Sequence, residues 1–200
     1  MKISKRSNFK KIAILIVMMI VLLVSLFYYY NEIGPRIKSG KQEIHFRDPS
    51  LRKSVSSFKF ETKRAIKEVK DFTGNVVVVY VWASWCPPCV EGIPDLISMV
   101  KKFENAQVKI FGLSVDDNGW EDIGVFLKNH PDINYTIAIP YTKPTFQFET
   151  IVDLNPLGQV AALPTFFVID QNGKLAGKFV GAGHLFDVEI MINKLLEKCL

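Results

Sequence analysis

Cysteine and histidine are scarce: the 200 residues hold only Cys86, Cys89 and Cys199 and the scattered His45, His130 and His184. So few cysteines exclude a disulfide-stapled scaffold, which needs a dense cysteine framework. They also leave a structural zinc site short of partners, because such sites take four ligands, commonly from two C-x-x-C pairs. No internal repeat or low-complexity tract occurs, so the chain is not a stacked-repeat array. Net charge is missing from most of the chain as well. MKISKRSNFKK carries Lys2, Lys5, Arg6, Lys10 and Lys11 and no acid, and these five account for the whole formal charge of +5. Residues 31–71 hold 11 basic and 6 acidic groups and residues 72–200 hold 9 and 14, so the larger part is mildly acidic. A nucleic-acid footprint is not expected.

Charge is absent altogether from Ile12 to Tyr30, in IAILIVMMIVLLVSLFYYY. Nineteen residues at 1.5 Å each reach about 28 Å, close to the roughly 30 Å of a bilayer's hydrocarbon core. The run has no polar stripe and ends in YYYNEIGP without the small-residue cleavage site of a secretory signal peptide, so an uncleaved anchor is expected. Basic residues before the span favour a cytoplasmic N-terminus, and Tyr28, Tyr29 and Tyr30 suit the opposite interface. The expected organisation is a cytoplasmic segment 1–11, a transmembrane signal anchor 12–30, a Gly- and Pro-containing linker 31–55 and one domain, 56–200, in the periplasm or extracytoplasmic space.

That domain alternates strand and helix signals. NVVVVYVW (75–82) is a β-branched run suited to a strand covered on both faces. Helical spacing follows in CVEGIPDLISMVKKF, then a strand at 107–116, a helix at 120–130 and a strand at 133–139. Residues 145–155 read as a short helix or irregular connection. Asn-Gly between TFFVID and KLAGKFVG predicts a hairpin, and HLFDVEIMINKLLEKC a closing helix. The expected fold class is α/β, a mostly parallel sheet with an antiparallel edge and helices on both faces.

WASWCPPCVEGIP (82–94) places Cys86 and Cys89 where the buried strand gives way to a helix. A helix N-terminus favours a thiolate, the species that attacks a disulfide, and the second sulfur lies within reach to resolve the mixed disulfide. Three other readings stay open on these residues alone: half a zinc site, a static disulfide, or a copper site using His184.

VVVVYVWASWCPPCVEGIPDL (76–96), followed by ALPTFFVIDQNGKLAGKFVGAG (162–183), resembles the thioredoxin-like proteins, in particular the membrane-anchored TlpA/ResA group of extracytoplasmic thiol-disulfide oxidoreductases. The resemblance covers residues 56 to 198. It implies a thioredoxin-like fold and a redox-active disulfide, with Cys86 as nucleophile and Cys89 resolving. It further implies a cis Pro164 against the cysteine pair, with Thr165 beside it, Trp82 and Trp85 flanking the sulfurs around Pro87 and Pro88, and Pro94 kinking the helix. Protein disulfides or dithiols become the expected substrates, with cytochrome c maturation as a candidate setting, a membrane electron donor and no cofactor. Two positions depart from the pattern: Tyr80 stands where thioredoxins carry a buried aspartate, and Gly92 where the group often has a glutamate. Glu91 is next to Gly92 but on another helix face, so the proton acceptor for Cys89 falls to water, Glu91 or the substrate. His184 is expected to cap the last helix or lie at the surface, and Cys199 to be a bystander thiol. The rivals are a disulfide-introducing oxidase and a copper-binding chaperone on the same fold.

Overall fold

The computed structural model describes residues 4–28, 48–142, 145–147 and 151–197. Tyr29, Tyr30, linker residues 31–47, His45 and Cys199 lie outside them. Two compact units are present, Met1–Glu43 and Ile44–Leu200.

In the first unit, helix α1 runs from Ser4 to Tyr28. Its described side chains, Ile14 to Ser25 with Phe27, are exposed around the full turn of the helix. That stretch measures about 18 Å at 1.5 Å per residue. Among the described residues no helix is long and apolar enough to cross a membrane.

The second unit grows from β3 (Val76–Trp82), every residue of which is buried. A strand with no exposed face must be covered on both sides, which explains its unbroken apolar run. β3 pairs in parallel with β4 (Val108–Ser114), and β4 with β5 (Thr136–Pro140). The crossovers carry α2 (Pro87–Glu91), α3 (Ile93–Lys102) and α4 (Trp120–Asn129). On its other edge β3 pairs antiparallel with β9 (Thr165–Ile169), and β9 with β10 (Leu175–Val180). Gly173, at φ 70°, takes the left-handed conformation of the expected hairpin turn. α5 (Leu185–Glu197) closes the chain and buries Val188, Met191, Ile192 and Leu195, at helical spacing.

Three features depart from the sequence reading. The hairpin β1 (Lys59–Thr62) and β2 (Ile66–Glu68) extends the sheet beyond β5, giving the order β10-β9-β3-β4-β5-β1-β2. The linker expected through residue 55 ends earlier: Val55 is fully buried, and Arg52 makes a 2.7 Å ion pair with Asp170 in which both residues are buried. Their partners lie about 120 residues ahead, beyond the reach of a local pattern. Residues 145–160 form a second, antiparallel sheet of β6 (Thr145–Gln147), β7 (Ile151–Leu154) and β8 (Gly158–Val160), not a helix or irregular connection. Val152, Leu154 and Val160 are buried at alternating positions, the two-residue period of a strand.

Candidate active site

β3 ends at Trp82 and the chain turns at once, Cys86 N–H donating to the Ala83 carbonyl at 3.2 Å. Cys86 then caps α2 in an extended conformation, φ −95° and ψ 103°, with Pro87 and Pro88 as the first two helical residues. Proline suits the first turn, where a backbone N–H has no intrahelical partner. Cys86 and Cys89 form a disulfide with their Cα atoms 5.3 Å apart. Both cysteines are buried, Cys86 at 4% exposure and Cys89 at 0%.

The N–H supply around Cys86 is small. Pro87 and Pro88 have none, and the N–H groups of Cys89 and Val90 both donate to the Cys86 carbonyl, at 3.0 and 3.1 Å. α2 stops at Glu91. Pro94 cannot donate to the Val90 carbonyl four residues back, which accepts from Gly92 N–H instead. The expected kink is therefore a break between α2 and α3.

Tyr80 donates its hydroxyl to the Cys89 carbonyl at 2.8 Å and packs on Phe166 at 4.9 Å between ring centroids. Burial pushes its phenol well above the ordinary tyrosine range. Tyr80 is thus a neutral donor at physiological pH, and the position filled by an acid in thioredoxins supplies no base here.

Pro164, reached through a cis Leu163-Pro164 bond, accepts from Gly181 N–H at 2.8 Å. It shares a narrow cleft with Pro88, Gly92, Tyr80, Asp95 and Phe166, so the two sequence motifs meet in space. Thr165 is fully buried and donates to the Ala162 carbonyl at 2.7 Å, fixing the turn into β9.

The tryptophans diverge. Trp82 is a core residue, fully buried and packed at a tilt against Phe126 with ring centroids 5.0 Å apart, whereas Trp85, next to Cys86, is 64% exposed. His184 pairs side chain to side chain with Asp187 at 2.8 Å just before α5, and His130 stacks on Phe126. Glu91 is exposed and does not line the cleft.

Asp95 and Asp116 were missed by the sequence reading. Asp95 lines the cleft three residues beyond Gly92, a helical neighbour of the missing glutamate's position. Asp116 bonds Ser84 in the redox turn. Its signal was an acid just past the end of the strand beside β3.

The profile of the AhpC/TSA family matches residues 52–178. The chain is 32% identical over 130 residues to a thiol-disulfide oxidoreductase ResA of Bacillus cereus, covering 64% of this chain and 68% of that protein. Over 113 residues it is 29% identical to a thiol:disulfide interchange protein DsbE homolog of Paracoccus denitrificans, covering 54% of this chain and 51% of the relative. Among solved structures, a putative thiol:disulfide interchange protein DsbE from Chlorobium tepidum superposes with a TM-score of 0.59 at 27% identity, over 72% of this chain and 96% of that one.

Proposed function

Since the chain belongs to the AhpC/TSA family and is a thioredoxin-like thiol-disulfide oxidoreductase, we propose that it works as an extracytoplasmic reductant of protein disulfides, held to the membrane by residues 12–30. In the forward reaction the Cys86 thiolate attacks a substrate disulfide. One S–S bond breaks, a mixed disulfide forms, and the leaving sulfur takes up a proton. Cys89 loses its proton and attacks Cys86, forming the Cys86–Cys89 disulfide and releasing the second substrate thiol. Two electrons pass from the dithiol to the substrate, and a membrane dithiol donor restores the pair.

The observation that carries the direction is the absence of a free N–H at the first turn of α2. Strong oxidants of this chemistry owe their potential to a stabilised reduced form. Pro87 and Pro88 offer no donor, and the Cys89 and Val90 N–H groups are engaged by the Cys86 carbonyl. A thiolate without those hydrogen bonds favours the disulfide state, which makes the dithiol a reductant. Pro164 borders the cleft where a partner's backbone would lie, and Asp95 or solvent takes the proton of Cys89.

The anchor rests on the uncharged run from Ile12 to Tyr30, the basic residues before it and the apolar side chains exposed on every side of α1 from Ile14 to Val24. A helix with no polar face has no use for water on any side. The resemblance of the two motifs to the TlpA/ResA group makes cytochrome c maturation the proposed setting, tested by haem staining of c-type cytochromes in a deletion strain.

Equilibration of the protein with glutathione buffers tests the direction. The expected potential lies nearer the roughly −270 mV of thioredoxin than the roughly −120 mV of a disulfide-introducing oxidase. A value above about −180 mV identifies an oxidase instead.

A further inference from the structure

β3 and β4 run parallel with Trp82 opposite Ser114. Two residues past each strand end, this register brings Ser84 to Asp116. The Asp116 carboxylate is buried at 8% exposure. Its Oδ1 accepts from the Ser84 hydroxyl at 2.6 Å and the Ser84 N–H at 3.1 Å. Its Oδ2 accepts from the same N–H at 3.0 Å and from the Ser114 hydroxyl at 2.5 Å. Asp116 is held in turn: its own N–H donates to Ser114 Oγ at 3.1 Å, and Val115 N–H to the Trp82 carbonyl at 2.9 Å.

Both donors of Ser84 are thus committed to one ionisable acceptor on the neighbouring strand. Ser84 is the second residue of the Ala83–Cys86 turn, and Trp85, the third, is 64% exposed and gives the turn no apolar anchor. Hydrogen bonds to an ionised acceptor are about twice as strong as neutral ones. In the oxidised chain the bond to Cys89 also fixes Cys86. Reduction removes that tie and leaves the carboxylate holding the turn.

We propose that Asp116 is a positioning residue for the redox centre: through Ser84 it keeps the Cys86 sulfur aligned for attack once the disulfide is open. This rests on Cys86 being the attacking thiol, as above. Displacing a reacting group by about 1 Å costs on the order of a hundredfold in rate, so a slack turn should register in the attack step.

The test reduces the full-length chain carrying Cys199→Ser, which leaves Cys86 and Cys89 as its only thiols, mixes it with 5,5′-dithiobis(2-nitrobenzoate) and follows thionitrobenzoate release in this parent and with Asp116→Ala, Asp116→Asn or Ser84→Ala added. In the probe one S–S bond is cleaved, two thiolates leave and the protein ends as the Cys86–Cys89 disulfide. Asp116→Ala should react at least tenfold more slowly than the parent. Asp116→Asn, whose amide oxygen still accepts from Ser84 N–H, should recover to within threefold. That rescue is a response a purely structural loss would not give. Ser84→Ala removes the 2.6 Å contact and leaves the carboxylate its other partners; it should react threefold or more slowly with an unchanged circular dichroism spectrum. A parental rate in Ser84→Ala overturns the proposal whether or not Asp116→Ala folds. Equal losses in folded Asp116→Ala and Asp116→Asn overturn it too. A parent chain that does not reduce the probe sinks the functional reading itself, a result distinct from either of these.

Discussion

Replacing Pro88 by alanine should make this protein a stronger oxidant, and replacing Pro87 should do so far less. A helix-capping side chain accepts from the N–H of the second or third helical residue. Cys86 occupies the cap, so those residues are Pro88, which has no N–H, and Cys89, whose N–H already donates to the Cys86 carbonyl at 3.0 Å. Pro88→Ala supplies the missing donor at the position from which the sulfur can be reached, whereas Pro87→Ala adds an N–H one residue too early. A hydrogen bond to a charged group contributes about 1.5 to 3 kcal/mol, which is about one to two units on the thiol's pKa. For a two-electron couple about 1.4 kcal/mol corresponds to 30 mV, so the potential should rise by roughly 30 to 65 mV. The upper figure applies when the thiol titrates below the assay pH. Losing a proline also loosens the unfolded chain, by about 0.4 to 1 kcal/mol, but this cancels because the potential compares two folded forms. Equilibration of both variants against glutathione buffers, with alkylation to count thiols, gives the shift. Pro88→Ala within about 10 mV of the parent, or an equal shift in Pro87→Ala, refutes the reasoning.

Gly112→Ala should destabilise the fold by about 1 to 3 kcal/mol, read by urea unfolding, because overpacked cores cost about that much and a Cβ there would sit 2.8 Å from the Tyr135 ring and 3.2 Å from Trp82 Nε1. Asp170→Ala should lower stability by about 3 to 5 kcal/mol, since it removes one partner of a buried ion pair, and Asp170 also accepts from Asn172 and Lys174 N–H in the hairpin turn. Lys174→Ala, which leaves the carboxylate in place, should cost far less. Burial raises the phenols of both Tyr80 and Tyr135. The unfolded chain therefore loses those protons first, so stability holds up to about pH 10 and falls above it, at about 1.4 kcal/mol per pH unit for each tyrosine. Tyr80→Phe should halve that alkaline slope in urea titrations, and an unchanged slope refutes the assignment.

Local pattern alone determined the parts of this protein whose causes are local. An unbroken β-branched run can be satisfied only by a strand covered on both faces, and β3 is that strand. Asn-Gly between apolar runs forces a hairpin because glycine accepts the left-handed backbone at Gly173. C-x-x-C at a strand-to-helix junction brings two sulfurs together whatever surrounds them, so Cys86 and Cys89 were legible from their spacing. Residues 145–160 carried a period-two signal as well, weakened by short strands and by the turn at Asn155 and Pro156. What depends on partners far along the chain became legible only in three dimensions. Arg52 and Val55 belong to the domain because Asp170 and the core receive them. Trp82 is core and Trp85 surface, although three residues apart in one motif, because strand β3 ends between them. The pairing of Trp82 with Ser114 is a fact of strand register, and register alone delivers the Asp116 carboxylate to the turn that carries the nucleophile. Hydrogen bonds across neighbouring strands are set by which strands neighbour, and a one-dimensional pattern holds no record of that.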